Sequence, residues 1–331
     1  MQRLEQIRHW LAGLFPGQAP DLVPASADAS FRRYFRLTLA DGGSRIVMDA
    51  PPDAEDCRPF VRVAGLMREA GVHVPEIFAA DLDQGLLLLG DLGRTSYLDA
   101  LNASNADALF GDALDSLLRW QLASRPDALP PYDEALLRRE LGLFPEWYVA
   151  RHLGVALSAA QRAVLEDAQA TLLRNLLGQP CVFVHRDYMP RNLMVCEDNP
   201  GVLDFQDAVY GPISYDVISL FRDAFLSWEE ERVLDWSVRY WEKARRAGLP
   251  VEGDFGDFYR NLEWTGLQRH LKVLGIFARL HYRDGKPQYL ADTPRFMGYA
   301  RHVVTRYAAF TPLARLLDQL EQRAPQVGYT F

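Results

Sequence analysis

The chain has three cysteines in 331 residues, Cys57, Cys181 and Cys196. That odd number, with no C-x-x-C pair, indicates neither a disulfide framework nor a cysteine zinc site. Buried thiols in a reducing cytosol are the expectation, and with them a cytoplasmic protein. No stretch is apolar for long enough to span a bilayer. The amino terminus also lacks the unbroken apolar core of a signal peptide: charges interrupt it, and Leu4, Ile7, Leu11 and Leu14 recur on one helical face. Positive charge is in deficit, since 36 Lys and Arg against 44 Asp and Glu give a formal charge of -8 and a pI near 5.4. A general nucleic-acid or anionic-membrane binder needs a dense positive field, so both classes are excluded. Internal repeats and low-complexity linkers are missing too, and no obligatory protein partner is implied. The expected partner is a small molecule.

What the chain does have is a core. At 49% hydrophobic and 24% charged, 331 residues bury enough apolar surface for two domains or lobes. Its chemistry is concentrated in His185-Arg186-Asp187-Tyr188-Met189-Pro190-Arg191-Asn192, followed by Leu203-Asp204-Phe205. Asp187 and Asn192 have the interval of the H-R-D-x-x-x-x-N loop, and Asp204 opens an Asp-Phe pair downstream. Phosphoryl transfer from a nucleotide needs one carboxylate to orient an attacking hydroxyl, plus an amide oxygen and a second carboxylate for magnesium. Asp187, Asn192 and Asp204 supply these groups. Leu193 to Cys196 and Gly201 to Phe205 read as short strands around Asp198-Asn199-Pro200-Gly201, a hairpin that returns Asp204 towards Asn192. Two hard oxygen ligands suit magnesium, which takes few protein ligands and leaves the rest to phosphate and water. The structural alternative is a hairpin with incidental polar ends; the intervals favour the catalytic reading.

Upstream, Pro16 to Pro24 break the first helix's pattern. Asp28 to Leu39 and Ser44 to Met48 read as a strand pair turned at Asp41-Gly42-Gly43. Its start offers Ser30, Arg32, Arg33 and Arg36 as candidate nucleotide-phosphate contacts, with an exposed basic edge strand as the alternative. A helix is expected over Arg58 to Ala70, and two strands between Val74 and Leu89. The apolar run Leu86 to Leu89 then meets Gly90, Asp91 and Leu92, candidate adenine-edge contacts. The division expected is a nucleotide-binding lobe over residues 1–92 and a helical lobe over 93–331, the latter carrying the catalytic loop and acceptor site. Ser158 with Gln161 and Ser227 with Glu230 have capping-box spacing ahead of periodic segments. Pro126, Pro130 and Pro131 separate one helix from the next.

The segment Val184 to Asp187 with Asn192, Leu203 to Asp207, and Tyr210-Gly211-Pro212-Ile213-Ser214-Tyr215-Asp216 resemble the aminoglycoside phosphotransferase and choline kinase family. The resemblance implies an α+β, two-lobed, protein-kinase-like fold with a small mainly-β N-lobe and a larger mainly helical C-lobe. It also implies ATP and Mg2+, with His185 and Asp216 supporting the catalytic loop. A helix cap is the plain alternative for Asp216. No activation segment or Ala-Pro-Glu anchor follows Asp204, so no peptide platform is expected. Within the family, Asp28 to Arg36, Val47 to Pro52, His185 to Asn192 and Val202 to Asp216 are most similar to the bacterial anomeric amino-sugar kinases of cell-wall recycling. Those kinases phosphorylate the C1 hydroxyl of N-acetylmuramate and N-acetylglucosamine.

One departure from the general kinase pattern stands out. Met48 and Asp49 occupy the strand where kinases place a phosphate-gripping lysine, so Arg32, Arg33 or Arg36 is expected to replace it. Strand alternation puts Arg32 and Arg36 on one face and Arg33 on the other. For the acceptor, the region from Arg269 through Arg306 is rich in cations, with few acids beside Asp284 and Asp292. A carboxylate-bearing sugar suits such a wall better than a polycationic aminoglycoside does. Gln268, Lys272 and Arg279, near one helical stripe, are the candidate sugar contacts. Two alternatives stay open: another alcohol acceptor such as choline, homoserine or an aminoglycoside, and a non-catalytic nucleotide-binding regulator, suggested by the absent lysine.

Overall fold

Apolar residues at Ile7 and Leu11 recur one helical turn apart, and α1 (Gln2–Leu14) buries both against a sheet. The structure, a computed structural model, describes residues 2–17, 21–26 and 31–322. In chain order the remaining elements are β1 (Leu22–Ser26), β2 (Arg33–Thr38), β3 (Ser44–Asp49), α2 (Arg58–Glu69), β4 (Ile77–Asp81), β5 (Leu86–Gly90), α3 (Tyr97–Ala100), α4 (Ala106–Leu122), α5 (Glu134–Leu143), a π-helical segment (Phe144–His152), α6 (Ala159–Gly178), β6 (Cys181–Val184), a 3-10 turn (Pro190–Asn192), β7 (Leu193–Met194), β8 (Gly201–Val202), β9 (Val209–Pro212), α7 (Tyr215–Phe221), α8 (Glu230–Arg246), α9 (Phe255–Tyr282), a 3-10 segment (Pro287–Asp292), α10 (Thr293–Arg306), a 3-10 turn (Ala308–Phe310) and α11 (Thr311–Leu320). Contacts group them into two compact units: Met1–Trp120 with Arg191–Asp207, and Gln121–Pro190 with Ala208–Phe331. This grouping does not coincide with a division after residue 92. It assigns α3, most of α4 and the β7–β8 hairpin to the first unit.

In the first unit five antiparallel strands pair in the order β1-β2-β3-β5-β4. Phe35, Leu37, Val47, Leu86 and Leu88 form the face that meets α1. The register places Tyr34 opposite Met48 and Arg36 opposite Ile46, so these four share the other face. β1 departs from the expectation of a broken segment up to Pro24, because Pro24 lies within the strand. As an edge strand with a register shift between Pro24 and Ser26, β1 tolerates the missing N–H. In α2, Phe60, Val63, Ala64 and Met67 are buried. Of the thiols expected to be buried, Cys57 is, Cys196 is partly covered and Cys181 is exposed.

The second unit is organised by α9. This 28-residue helix is largely buried between Phe258 and Ala278, with α5, α6, α7, α10 and the π-helical segment against it. Two of its polar residues find partners on α6 and at its end: Asn261 meets Asn175, and Thr265 receives the Gln179 amide at 2.9 Å. Ser158 and Gln161 form the expected capping box on α6. Ser227 does not cap α8; Glu229 is its N-cap residue, and the Ser227 hydroxyl meets the Tyr299 hydroxyl at 2.7 Å. No helix among the described residues is long and apolar enough to cross a membrane.

Gly275 marks the closest approach within this unit. A Cβ there would lie 2.5 Å from the Leu143 carbonyl oxygen at the end of α5. Backbone cannot yield as a flexible side chain can, so Gly275→Ala is expected to cost about 1–3 kcal/mol. Urea titration of the variant measures this, and an unchanged midpoint would disprove so tight an approach.

Candidate active site

The motif's residues fall in both units: Asp187 belongs to the second, Asn192 and Asp204 to the first. In the second, β6 pairs with β9 and delivers the chain to His185. Asp216, fully buried in the first turn of α7, accepts the His185 backbone N–H at 2.7 Å and the Arg186 backbone N–H at 3.0 Å. It therefore holds two consecutive loop amides, which goes beyond capping its own helix. Burial pushes the Asp216 carboxyl up to about 7, against the opposing pull of those amides. Arg186 adopts a left-handed backbone, φ 76°, that a non-glycine residue keeps only when its surroundings impose it. The buried His185 ring accepts the Asp187 N–H on Nδ1 at 3.3 Å and meets Tyr188 edge-on.

The Arg186 side chain runs to Glu140 on α5 at 2.7 Å. Glu140 also receives Lys272 at 3.0 Å, the Tyr132 hydroxyl at 2.5 Å and the Gln268 amide at 3.1 Å. Burial alone would raise the Glu140 pKa, but the charges of Lys272 and Arg186 outweigh it and hold the group down at about 2. Burial likewise disfavours charged Lys272; Glu140 reverses the balance and raises its pKa. Lys272 Nζ further donates to the Tyr215 hydroxyl at 3.1 Å. Gln268 and Lys272, expected at the sugar, thus meet on Glu140. Arg279 shares none of these bonds; its pKa is lowered by burial and then by Arg283.

In the first unit, Leu203 N–H donates to the Asn192 carbonyl at 2.9 Å, closing the β7–β8 hairpin. Asn192 Nδ2 lies 3.4 Å from Asp204 Oδ2, and Gln206 Nε2 donates to Asp204 Oδ1 at 2.8 Å. Asp204 is also left-handed, φ 62°, while Phe205 turns inward against Phe60 of α2, ring centroids 4.7 Å apart. The hairpin thus brings Asn192 and Asp204 together. Gln206 Oε1 is buried without a hydrogen-bond partner. Side-chain oxygens from Asn, Asp and Gln form a hard donor set that fits magnesium.

The arginines separate by strand face. Arg33 bonds Asp49, which also takes Arg3, on the α1 side of the sheet. Arg36, on the Met48 face, bonds both oxygens of Asp91 at 2.5 and 2.8 Å and the Gly93 carbonyl at 2.6 Å. Arg32 lies 4.0 Å from Glu55. Asp91 is a junction that also receives Ser44 Oγ and the Gly93 N–H; burial raises its pKa, and Arg36 and Ser44 bring it below the ordinary value. The Gly90 N–H is spent on the Glu76 carbonyl, and Leu92 lies where a Cβ on Gly201 would strike it. Ser30 lies outside the described residues.

The model of the phosphotransferase enzyme family matches residues 21–251. The chain belongs to that family. An N-acetylmuramate/N-acetylglucosamine kinase of Pseudomonas aeruginosa is 55% identical, over 97% of this chain and 98% of that protein. One of the same name from Neisseria meningitidis is 51% identical over the full length of both. A choline/ethanolamine kinase family protein from Mesorhizobium loti has a similar fold, with TM-score 0.65 at 13% identity over 96% of this chain and 99% of that one. An ADP-bound aminoglycoside phosphotransferase gives TM-score 0.59 at 14% identity over 89% and 97%.

Within this phosphotransferase fold, sequence reasoning missed Glu140 and Gln206. Glu140 did leave a signal: it interrupts the stripe Leu137, Leu141 and Phe144, and a carboxylate on a buried helical face needs cations facing it. Glu140→Gln leaves Arg186 and Lys272 without their counter-charge, and at pH 7 is expected to cost about 3 kcal/mol. The folded pKa lies below the ordinary 4.5, so the carboxylate's contribution is complete above that pH and lost as pH falls towards 2. Urea titrations at pH 7 and pH 3 should show the gap between wild type and variant shrinking in acid; an equal gap at both would refute this account.

Proposed function

We propose that this protein is an ATP-dependent kinase that phosphorylates the anomeric C1 hydroxyl of N-acetylmuramate and N-acetylglucosamine, a salvage step in peptidoglycan recycling. The observation that carries the acceptor is 55% identity with an N-acetylmuramate/N-acetylglucosamine kinase over almost the whole of both chains. The braced loop at His185 and Arg186, with Asp187 next in line, supports the chemistry. ATP as donor places the reaction in the cytoplasm.

Asp187 accepts a hydrogen bond from the C1 hydroxyl and aligns its oxygen with the terminal phosphorus of ATP. The C1 oxygen bonds to that phosphorus, the bond to the bridging oxygen breaks, and ADP leaves. The hydroxyl proton passes through Asp187 to solvent. In so loose a transition state alignment counts for more than basicity, and a carboxylate fixed by its loop provides it. Asn192 and Asp204 are the residues that would hold magnesium, which would supply charge neutralisation on the phosphates. Arg36 and Arg32 are the candidates for the missing lysine's place, because Arg33 points to Asp49 on the opposite face of the sheet; Arg36 would exchange its bonds to Asp91 for phosphate oxygens.

Asp187→Asn keeps the shape and removes the carboxylate. Turnover is expected to fall about 10³-fold or more, with ADP affinity by calorimetry within about threefold of wild type. Near-normal turnover would remove Asp187 from this role. The acceptor is tested with ATP, magnesium and a panel of N-acetylmuramate, N-acetylglucosamine, choline, homoserine and an aminoglycoside, followed by phosphorus NMR of each product. A sugar 1-phosphate is expected; a phosphate ester confined to another acceptor, or no transfer at all, would overturn the assignment.

A further inference from the structure

The cation-rich run from Arg269 to Arg306 is largely neutralised, much of it by acids from elsewhere in the second unit. Lys272 rests on Glu140, Arg283 on Asp284, Arg301 on Asp318 and Glu321, and Arg306 on Glu230 and Glu263. Arg269 is different. It is only 3% exposed, yet no carboxylate among the described residues lies within ion-pair distance of it. Its Nη1 donates to the Arg222 carbonyl at 3.3 Å, and its Nη2 lies 3.8 Å from Met189 Sδ. A carbonyl at the limit of bonding distance and a thioether are poor returns for a buried guanidinium with five N–H donors. Met189 stands two residues beyond Asp187, so Arg269 abuts the catalytic loop.

Asp223, just past the end of α7, is the matching anomaly. It is 2% exposed; Oδ2 accepts the Phe225 N–H at 3.3 Å, but Oδ1 is buried with no hydrogen-bond partner. Arg269 reaches the residue directly before it, at the Arg222 carbonyl, without touching the Asp223 carboxylate. A buried acceptor with no partner, near a buried guanidinium held only by long contacts beside the catalytic loop, is expensive to maintain unless something else completes it. The carboxylate lacks a donor and the guanidinium a good acceptor, so a neutral group with a donor and an acceptor of its own completes both. A secondary amide is such a group.

We propose that Asp223 and Arg269 form the specificity-determining pair for the acetamido group that N-acetylmuramate and N-acetylglucosamine share: Asp223 Oδ1 accepts its N–H, and Arg269 donates to its carbonyl. This rests on the sugar-kinase reading above. It differs from the expected sugar contacts, since Gln268 and Lys272 are occupied by Glu140.

The test compares kcat/KM for N-acetylglucosamine and glucose in wild type, Asp223→Asn and Arg269→Lys. Asparagine keeps one acceptor for the turn at Phe225 while turning the other atom into a donor that faces the amide N–H. In both variants the preference for N-acetylglucosamine over glucose is expected to fall about 100-fold, mostly through KM. A purely structural role would lower both activities together and leave the ratio unchanged, and that result overturns the pair. Calorimetry on the wild-type protein gives a check that does not depend on the variants folding: N-acetylglucosamine should bind at least about 30-fold more tightly than glucosamine or glucose, and equal affinities overturn the pair. Wild type that transfers to neither amino sugar would overturn the sugar-kinase reading and this pair with it, an outcome distinct from transfer with an unaltered ratio.

Discussion

One carboxylate, that of Asp216, holds the catalytic loop by its backbone. Accepting two consecutive amides, from His185 and Arg186, fixes the direction of the chain more firmly than any side-chain contact could. It also imposes the left-handed turn at Arg186, which L-residues avoid unless compelled. Because the turn points the Arg186 side chain at Glu140, the backbone constraint and the buried charge network are a single device. Asp187, the next residue, inherits its placement from both.

The Glu140 network offers limited net stability for its complexity. Ions taken out of water lose most of what their mutual attraction returns, and well-packed apolar residues of equal volume hold a core together as well. What an apolar replacement could not do is link four parts of the second unit through one carboxylate: the catalytic loop through Arg186, the segment before α5 through Tyr132, and successive turns of α9 through Gln268 and Lys272. Direction, more than energy, is what such a network gives the loop, and alignment is what a loose phosphoryl transfer demands.

How far the sequence disclosed this depends on the range of each interaction. Local patterns were legible: the β2–β3 hairpin, α2, the Ser158 capping box and the β7–β8 turn all lay close to their expected positions, because their determinants are a few residues apart. The first strand was not, since Pro24 reads as a breaker and only pairing with β2 at a sheet edge makes it tolerable. Ser227 misled for the opposite reason: its spacing to Glu230 suits a cap, but Tyr299, distant in sequence, takes its hydroxyl. The site divided in the same way. The intervals linking Asp187, Asn192 and Asp204 are covalent facts. The cation run that suggested a basic wall dissolved once acids from α5, α8 and α11 were folded against it.

The missing strand lysine belongs to a wider pattern, for no lysine occurs anywhere before Lys243. Any cation that the first unit contributes is therefore arginine, or histidine when protonated. The difference is physical: an ammonium is a compact, strongly hydrated point charge, whereas guanidinium is a planar fork that grips two oxygens at once. Arg36 already shows that grip on both oxygens of Asp91, and phosphate oxygens present a similar edge. Lys272 occupies the converse position, a small ammonium between the Glu140 carboxylate and the Tyr215 hydroxyl, where a fork would meet the surrounding core. Each cation type stands where its shape fits. On the function proposed above, an arginine in place of the β3 lysine changes how phosphate is held, and the lysine's absence does not by itself argue that the chain has lost catalysis.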